Sequence, residues 1–272
     1  RDTFWFYSND TIIGNSLRHY GEYTENELGL LRNFQHNDSV IYDIGANIGT
    51  FTTWMARAFS NGKIHSFEPQ RAVFQMLSGN AAINNLYNVY TYNIGLGKEN
   101  KKVEFLEPNY FQKNDFGTFS LVEDIITDKT QNKIVVQINT LDWFVEFYNI
   151  PKIHLLKIDV EGMETEVLIG LQETIDANKP LIFIEIRHTN RKWFDEWMLE
   201  NNYKIVWDLC FIFYFFGNDH LPSSIEIGPE LGLEFFIKKH YQALNKNNII
   251  NIKKSHIILD LANLKLYLEK IN

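Results

Sequence analysis

Between Val40 and Trp207 the chain alternates short apolar runs with stretches in which apolar residues recur every three or four positions. Residues 40–44, 63–67, 89–93, 153–158, 181–186 and 203–207 read as strands, and 50–59, 71–84, 164–171 and 192–201 as helices between them. The strand runs are short and apolar on both faces, the pattern of a parallel sheet covered on both sides. Right-handed crossovers then wind the helices onto both faces of a doubly wound α/β sheet.

Two regions break the alternation. Residues 96–139 hold strand-like pieces at 103–106 and 134–138 around the polar stretch 109–132. Residues 208–241 read as two paired strands, 211–216 and 234–238, joined by the loop 217–232. Beyond them Ile257, Leu261, Leu264 and Leu268 are helically spaced and predict a helix over about 255–270. The expected organisation is a lead-in or lid over 1–36, a main domain over 37–241 with an insertion at about 96–139, and a helical tail over 242–272.

Candidate chemistry collects at the ends of the first three strands. The first runs into Asp43-Ile44-Gly45-Ala46-Asn47-Ile48-Gly49. Gly45 and Gly49 permit backbone angles and close approaches that a Cβ blocks. Ligands of open α/β sheets sit at this edge, where the next helix begins. A dinucleotide site calls for G-x-G-x-x-G, whereas Asn47 stands at the place of the second glycine. A side chain there obstructs a pyrophosphate but leaves room for a smaller zwitterion, whose ammonium Asp43 can accept. Glu68, before Pro69, ends the second strand and can take two ribose hydroxyls. Asn93 ends the third and can read an adenine edge. Together they describe a pocket for a nucleoside with an amino-acid tail.

Composition narrows the classes. The 272 residues are 45% hydrophobic and 15% aromatic, enough for one full core and unlike a disordered chain. The formal charge of −8 argues against a nucleic-acid partner. The basic pairs Lys101-Lys102, Lys238-Lys239 and Lys253-Lys254 read as solvated edges. A single cysteine, Cys210, excludes a scaffold of intrachain disulfides and reads as a small buried hydrophobe. The longest unbroken apolar run, Leu209 to Phe216, falls far short of the ~20 residues that span a bilayer. No leader pattern opens the sequence, which starts at Arg1, so no membrane partner and a cytoplasmic location are expected.

The chain resembles the FkbM family of methyltransferases. The likeness rests on residues 40–49, on Phe67-Glu68-Pro69, on Thr140-Leu141-Asp142 and on Lys157-Ile158-Asp159-Val160-Glu161-Gly162-Met163-Glu164, and it extends from about Tyr20 to Trp207. The lead-in Gly21-Glu22-Tyr23-Thr24-Glu25-Asn26-Glu27 is similar to the family's approach to its first strand, which adds Tyr23 to the candidate cofactor residues. The resemblance implies a Rossmann-like class I fold, a mostly parallel seven-stranded sheet with an antiparallel edge strand. It also implies S-adenosylmethionine as cofactor and, commonly, O-methylation of hydroxyls on sugars or secondary metabolites.

On the acceptor side, the fourth strand ends beside the reactive end of such a cofactor. Transfer to an alcohol needs an aligned oxygen and an exit for its proton. Asp159 is the leading candidate for base or orienting group. Lys157, two residues earlier and so on the same face, can hold Asp159 ionised or steady a developing alkoxide. Glu161 and Glu164 are candidates for the same mouth, and Glu185 and His188 are further catalytic candidates. The bland alternative makes Lys157 and Asp159 a structural pair. Asp159, Glu185 and His188 could gather Mg²⁺, but no adjacent aspartates follow the fifth strand, so the site is expected to hold no metal. Trp193 and Trp197, four apart, read as a core-facing stripe, and Trp143 likewise as core. Three readings stay open beside O-methylation. One is a nucleic-acid or protein methyltransferase, although no N-P-P-Y or D-P-P-Y tetrad is present to hold a flipped base. Another is a non-catalytic cofactor-binding module. A nicotinamide oxidoreductase lacks both its glycine fingerprint and a Tyr/Lys pair.

Overall fold

The computed structural model describes residues 2–23, 28, 31–32, 35–117, 133–150, 152–186, 191–208, 212–217, 225–227 and 257–259. The main sheet uses β1 (Val40–Ile44), β2 (Lys63–Phe67), β3 (Val89–Tyr92), β7 (Leu155–Ile158), β8 (Leu181–Glu185), β9 (Tyr203–Asp208) and β10 (Ile212–Gly217), in the order β3-β2-β1-β7-β8-β10-β9. Five neighbours, β3 to β8, run parallel, and β10 is antiparallel to both β8 and β9.

Parallel pairing requires crossovers. Helices α2 (Thr50–Ala58) and α3 (Arg71–Ile83) follow β1 and β2. Helix α4 (Leu141–Tyr148) precedes β7, the pair α5 (Glu164–Ile169) and α6 (Gln172–Asn178) follows it, and α7 (Arg191–Glu200) follows β8. All four residues of β7 and the last four of β1 are buried, as expected for strands covered on both faces. The core between sheet and helices holds Tyr42, Ile44, Phe67, Phe144, Leu156, Ile158, Ile182, Ile184, Phe194 and Trp197. Two charged residues stand within these apolar strands, Asp43 and Lys157, and the register sets them side by side.

Several expectations need correction. The antiparallel strand is not at the edge, because β10 turns back from β9 and inserts between it and β8, leaving β9 outermost. Its partners are therefore β8 and β9, while the expected partner at 234–238 lies outside the described residues, as do Cys210 and the pairs Lys238-Lys239 and Lys253-Lys254. Within the expected loop, β11 (Ile225–Ile227) pairs with β12 (Ile257–Leu259), the start of the expected tail helix. The adjacent β-branched Ile257 and Ile258 favour that extended pairing; the rest of the tail helix lies outside the described residues. Trp193 and Trp197 stack against the core, but Trp143 is 37% exposed and stacks on Phe147 instead. The helical wheel of α4 gives the reason: Leu141 and Phe144 are buried, which turns Trp143 and Phe147 outward.

The insertion builds its own small sheet from β4 (Gly95–Leu96), β5 (Lys101–Leu106) and β6 (Lys133–Asn139), in the order β4-β6-β5. Residues 118–132 of its polar stretch lie outside the described residues. The amino-terminal segment runs along α3 before α1 (Ile13–Tyr20), which Gly21 closes in the left-handed region at φ 76°. Among the described residues no helix is long and apolar enough to cross a membrane.

Candidate active site

A pocket opens at the carboxyl ends of β1, β2, β7 and β8. Its wall includes Gly45, Ala46, Asn47, Glu68, Lys157, Asp159, Glu161 and Glu185, with Tyr23 and Ile13 from the amino-terminal segment. This is the edge where open α/β sheets take their ligands.

The glycine turn is built differently from a phosphate cradle. Gly45 and Ala46 both donate their N–H to Phe67 O, at 3.0 and 2.9 Å. Asn47 N–H donates to Glu68 Oε2 at 3.0 Å, Ile48 N–H to Asn47 Oδ1 at 2.7 Å, and Gly49 N–H to Ala46 O at 2.9 Å. Five successive amides are thus taken by acceptors of the chain itself, and the turn leaves no nest of donors for a pyrophosphate. Asn47 adopts φ 50°, a left-handed conformation that asparagine tolerates. The glycines answer to protein rather than ligand. A Cβ on Gly45, at φ 79°, would lie 1.8 Å from Asp159 O, and one on Gly49, at φ 89°, would lie 2.7 Å from Leu77 Cδ1. Gly49 does not line the pocket.

Asp43 is fully buried and stands behind the pocket wall rather than in it. Its Oδ2 accepts from Thr52 Oγ1 at 2.6 Å, and its Oδ1 lies 3.3 Å from Lys157 Nζ. The reading of Asp43 as the direct partner of a ligand ammonium is corrected accordingly: the carboxylate is buried behind the wall, with Oδ2 bonded to Thr52 and Oδ1 paired electrostatically with Lys157. Lys157 donates to Gly45 O at 2.8 Å and lies 3.2 Å from Asp159 Oδ2. Burial works against its ammonium, but the Asp159 and Asp43 carboxylates outweigh it and raise its pKa. One of its protons is donated to Gly45 O, and the carboxylates of Asp43 and Asp159 lie within ion-pair distance of the same ammonium. Lys157 thus ties the glycine turn to the carboxylates of Asp43 and Asp159 from within the pocket wall. Asp159 keeps a side chain 35% exposed in the pocket wall.

Glu68 is 4% exposed and lines the pocket. Its Oε2 accepts from Asn47 N–H and its Oε1 from Gln70 N–H at 2.8 Å. Each carboxylate oxygen has a second lone pair to offer. Burial pushes its pKa up to about 7, against the pull of those two amides and of Lys157.

Asn93 does not line the pocket. Its Nδ2 donates to Glu68 O and Pro69 O, at 2.8 and 3.1 Å, so its amide braces the Glu68-Pro69 turn and is not positioned to read a ligand. Ile94, Gly95 and Leu96, just beyond it, line the pocket in its place. Glu164 is also outside the wall: it is 1% exposed and accepts from Gly162 N–H at 2.9 Å, while Glu161 reaches the pocket from a left-handed turn at φ 49°. His188 lies outside the described residues. Among the described residues no group of three or more His, Cys, Asp or Glu side chains is arranged to hold a metal.

Some residues were not singled out from sequence. Gln70, Asp115 and Gly117 line the pocket. Gln70 was accessible as the helix N-cap after Glu68-Pro69; Asp115 and Gly117 come from the insertion, where no local pattern marks them. The Thr140-Leu141-Asp142 motif turns out to be structural. Thr140 Oγ1 caps α4 by accepting from Trp143 N–H, Leu141 is core, and Asp142 caps α6 by accepting from Glu173 and Thr174 N–H.

Comparisons with known proteins place the sequence in a family. The family model described as Methyltransferase FkbM domain matches residues 43–205. Methyltransferase 1 of Beauveria bassiana (strain ARSEF 2860) is 30% identical over 153 residues, covering 50% of this chain and 60% of that protein. Hexuronic acid methyltransferase AglP of Haloferax volcanii is 28% identical over 148 residues, covering 54% of this chain and 56% of that protein. The match thus spans under two thirds of either relative's length. The crystal structure of methyltransferase FkbM from Methylobacillus flagellatus KT aligns with 75% of this chain and 51% of that one, at 16% identity and a TM-score of 0.49. The family match covers the glycine turn, Glu68 and the Lys157–Glu164 segment alike, and the chain belongs to the FkbM methyltransferase family.

Proposed function

We propose that this chain transfers a methyl group from S-adenosylmethionine to a hydroxyl of a sugar or a secondary metabolite. One observation carries the reading: Glu68 is a buried carboxylate in the pocket wall, with each oxygen only half satisfied by a backbone amide. Two vicinal ribose hydroxyls would supply the missing donors. The self-satisfied glycine turn fits a nucleoside without phosphates, which separates this cofactor from dinucleotides. Ile94, Leu96 and Phe67 in the wall suit the faces of a purine.

When bound, S-adenosylmethionine supplies an electrophilic methyl carbon on sulfur. The chain's part is to position the acceptor and take its proton. Asp159 lines the pocket with one oxygen toward Lys157, and in this reading its other oxygen accepts the hydroxyl proton. Glu185, in the same wall, orients the acceptor. A sugar-type acceptor is supported by the relative named hexuronic acid methyltransferase.

Calorimetry with S-adenosylhomocysteine tests the reading. Binding should be measurable, and Glu68→Ala should weaken it at least about tenfold, ~1.4 kcal/mol. Binding indifferent to that change would remove Glu68 from the site. Homocysteine-nucleoside formation with a panel of sugar acceptors, lost in Asp159→Asn, tests the transfer itself.

A further inference from the structure

The pocket has a roof made of two segments far apart in sequence. The amino-terminal segment is rooted on α3: Thr3 exchanges backbone hydrogen bonds with the side chain of Asn84, and Trp5 with that of Asn80. Asn80 also donates to Ile48 O of the glycine turn at 2.8 Å. Further along, this segment meets residues 109–117 of the insertion. Thr11 N–H donates to Asn114 O and Asn114 N–H to Asn9 O, at 3.0 and 3.2 Å. Tyr7 stacks on Tyr110 with ring centroids 4.8 Å apart and meets Phe116 edge-on at 5.4 Å. Ile12 and Ile13 from one segment and Asp115 and Gly117 from the other line the pocket, whereas Tyr7, Tyr110 and Phe116 do not.

Gln70 joins this roof to the floor. Its backbone N–H holds Glu68 Oε1 at 2.8 Å. Its side chain, buried at 4% exposure, donates to Phe116 O at 3.3 Å and accepts from Tyr110 Oη at 3.4 Å. One residue thus grips the ribose-binding carboxylate through its backbone and the roof through its amide.

We propose that the amino-terminal segment and residues 109–117 are the two leaves of a gate over the cofactor pocket, latched to each other by the Tyr7–Tyr110–Phe116 cluster, with Gln70 as the positioning residue that couples the latch to Glu68. The inference rests on S-adenosylmethionine being the pocket's ligand. In this gate the cofactor exchanges when the two leaves part, so a weaker latch speeds both directions. A residue that merely touched ligand would change dissociation alone.

Stopped-flow kinetics with S-adenosylhomocysteine separates these cases. Tyr110→Phe removes one hydroxyl outside the pocket and should raise the association and dissociation rate constants together, by about threefold, with Kd within about twofold. Tyr7→Ala removes the stack and should raise both by about tenfold. In a Gln70→Ala background Tyr110→Phe should add nothing further, the signature of a shared pathway. Unchanged rates in both tyrosine variants overturn the gate, as does a rise in dissociation alone. If the additional effect of Tyr110→Phe persists at full size without Gln70, the coupling through that residue is wrong. A wild-type protein that binds no S-adenosylhomocysteine overturns the cofactor reading first, and the gate with it.

Discussion

The floor and the roof of the pocket are held by different physics. The floor is made of strand ends locked by backbone hydrogen bonds and by a buried ion group, with Lys157 in contact with Asp43, Asp159 and Gly45 O. Taking charges out of water is costly, so separating the buried Lys157 and Asp43 is strongly penalised. The roof is held by aromatic contacts, by two backbone hydrogen bonds between its segments and by the two side-chain hydrogen bonds of Gln70. Such contacts are worth about 0.5–1.5 kcal/mol each, so removing one weakens the roof without unmaking it. In the proposed gate the floor sets ligand geometry and the latch sets ligand exchange.

The comparison breaks most clearly at Lys157. Lys157→Met leaves Asp43 fully buried without its counter-ion, and should cost about 3–5 kcal/mol in urea or guanidinium unfolding. Asp159→Asn should cost less than about 1 kcal/mol, since that side chain is partly solvated and Lys157 keeps Asp43. Equal losses from the two changes would refute a floor organised around the Lys157–Asp43 pair.

The two glycines give the next largest effect. Gly45→Ala drives a Cβ into the carbonyl of Asp159 and forces alanine to φ 79°, which should cost about 2 kcal/mol or more. Gly49→Ala, at φ 89°, meets only the terminal carbon of Leu77, so it should cost about 1–2 kcal/mol, nearly all of it backbone strain. Thermal unfolding of the pair measures the difference, and Gly45→Ala should in addition displace Asp159.

Glu68 ties pH to both binding and stability. Its pKa, raised by burial to about 7 from the ordinary 4.5, means that ionised Glu68 disfavours the fold. This group's contribution therefore grows less favourable as pH climbs from about 4.5 to 7 and is level above that. Ribose hydroxyls favour the ionised form, so S-adenosylhomocysteine affinity should fall about fivefold, ~1 kcal/mol, from pH 7 to pH 6. Glu68→Gln should flatten both profiles. A wild-type affinity constant across that interval would show that the ligand does not meet an ionised Glu68.

Most of the floor was legible in the sequence, because a parallel sheet brings its strand ends to one edge. Asp43 and Lys157 announced themselves as charges inside apolar runs, which must find partners when buried. Their roles were harder to read: sequence spacing puts Lys157 beside Asp159, but only the β1–β7 register puts it against Asp43 as well. The place of β10 was lost because a strand that turns back can pair outside its predecessor or slip inside it, and local pattern is the same in both cases. The roof was illegible for a different reason. Tyr7, Gln70 and Tyr110 carry no periodic signal, and their contacts close loops of 40 residues or more. The orientation of Trp143 was within reach, since the wheel of α4 separates it from Phe144.

Asn93 marks the boundary between floor and ligand, and its removal should have the smallest effect. Its amide braces Glu68 O and Pro69 O from an exposed position, where a hydrogen bond contributes about 0.5–1.5 kcal/mol. Asn93→Ala should therefore lower stability by about 1 kcal/mol or less and shift S-adenosylhomocysteine affinity less than about threefold. That residual shift would act through the carbonyl of Glu68, not its carboxylate, because Asn47 and Gln70 still hold both carboxylate oxygens. If Asn93→Ala weakened binding tenfold while Tm stayed level, the amide would have to leave Glu68 O and Pro69 O and turn to the ligand. The β2 end would then be no fixed part of the floor, and the division between a rigid base and a moving cover would have to be drawn one strand further in.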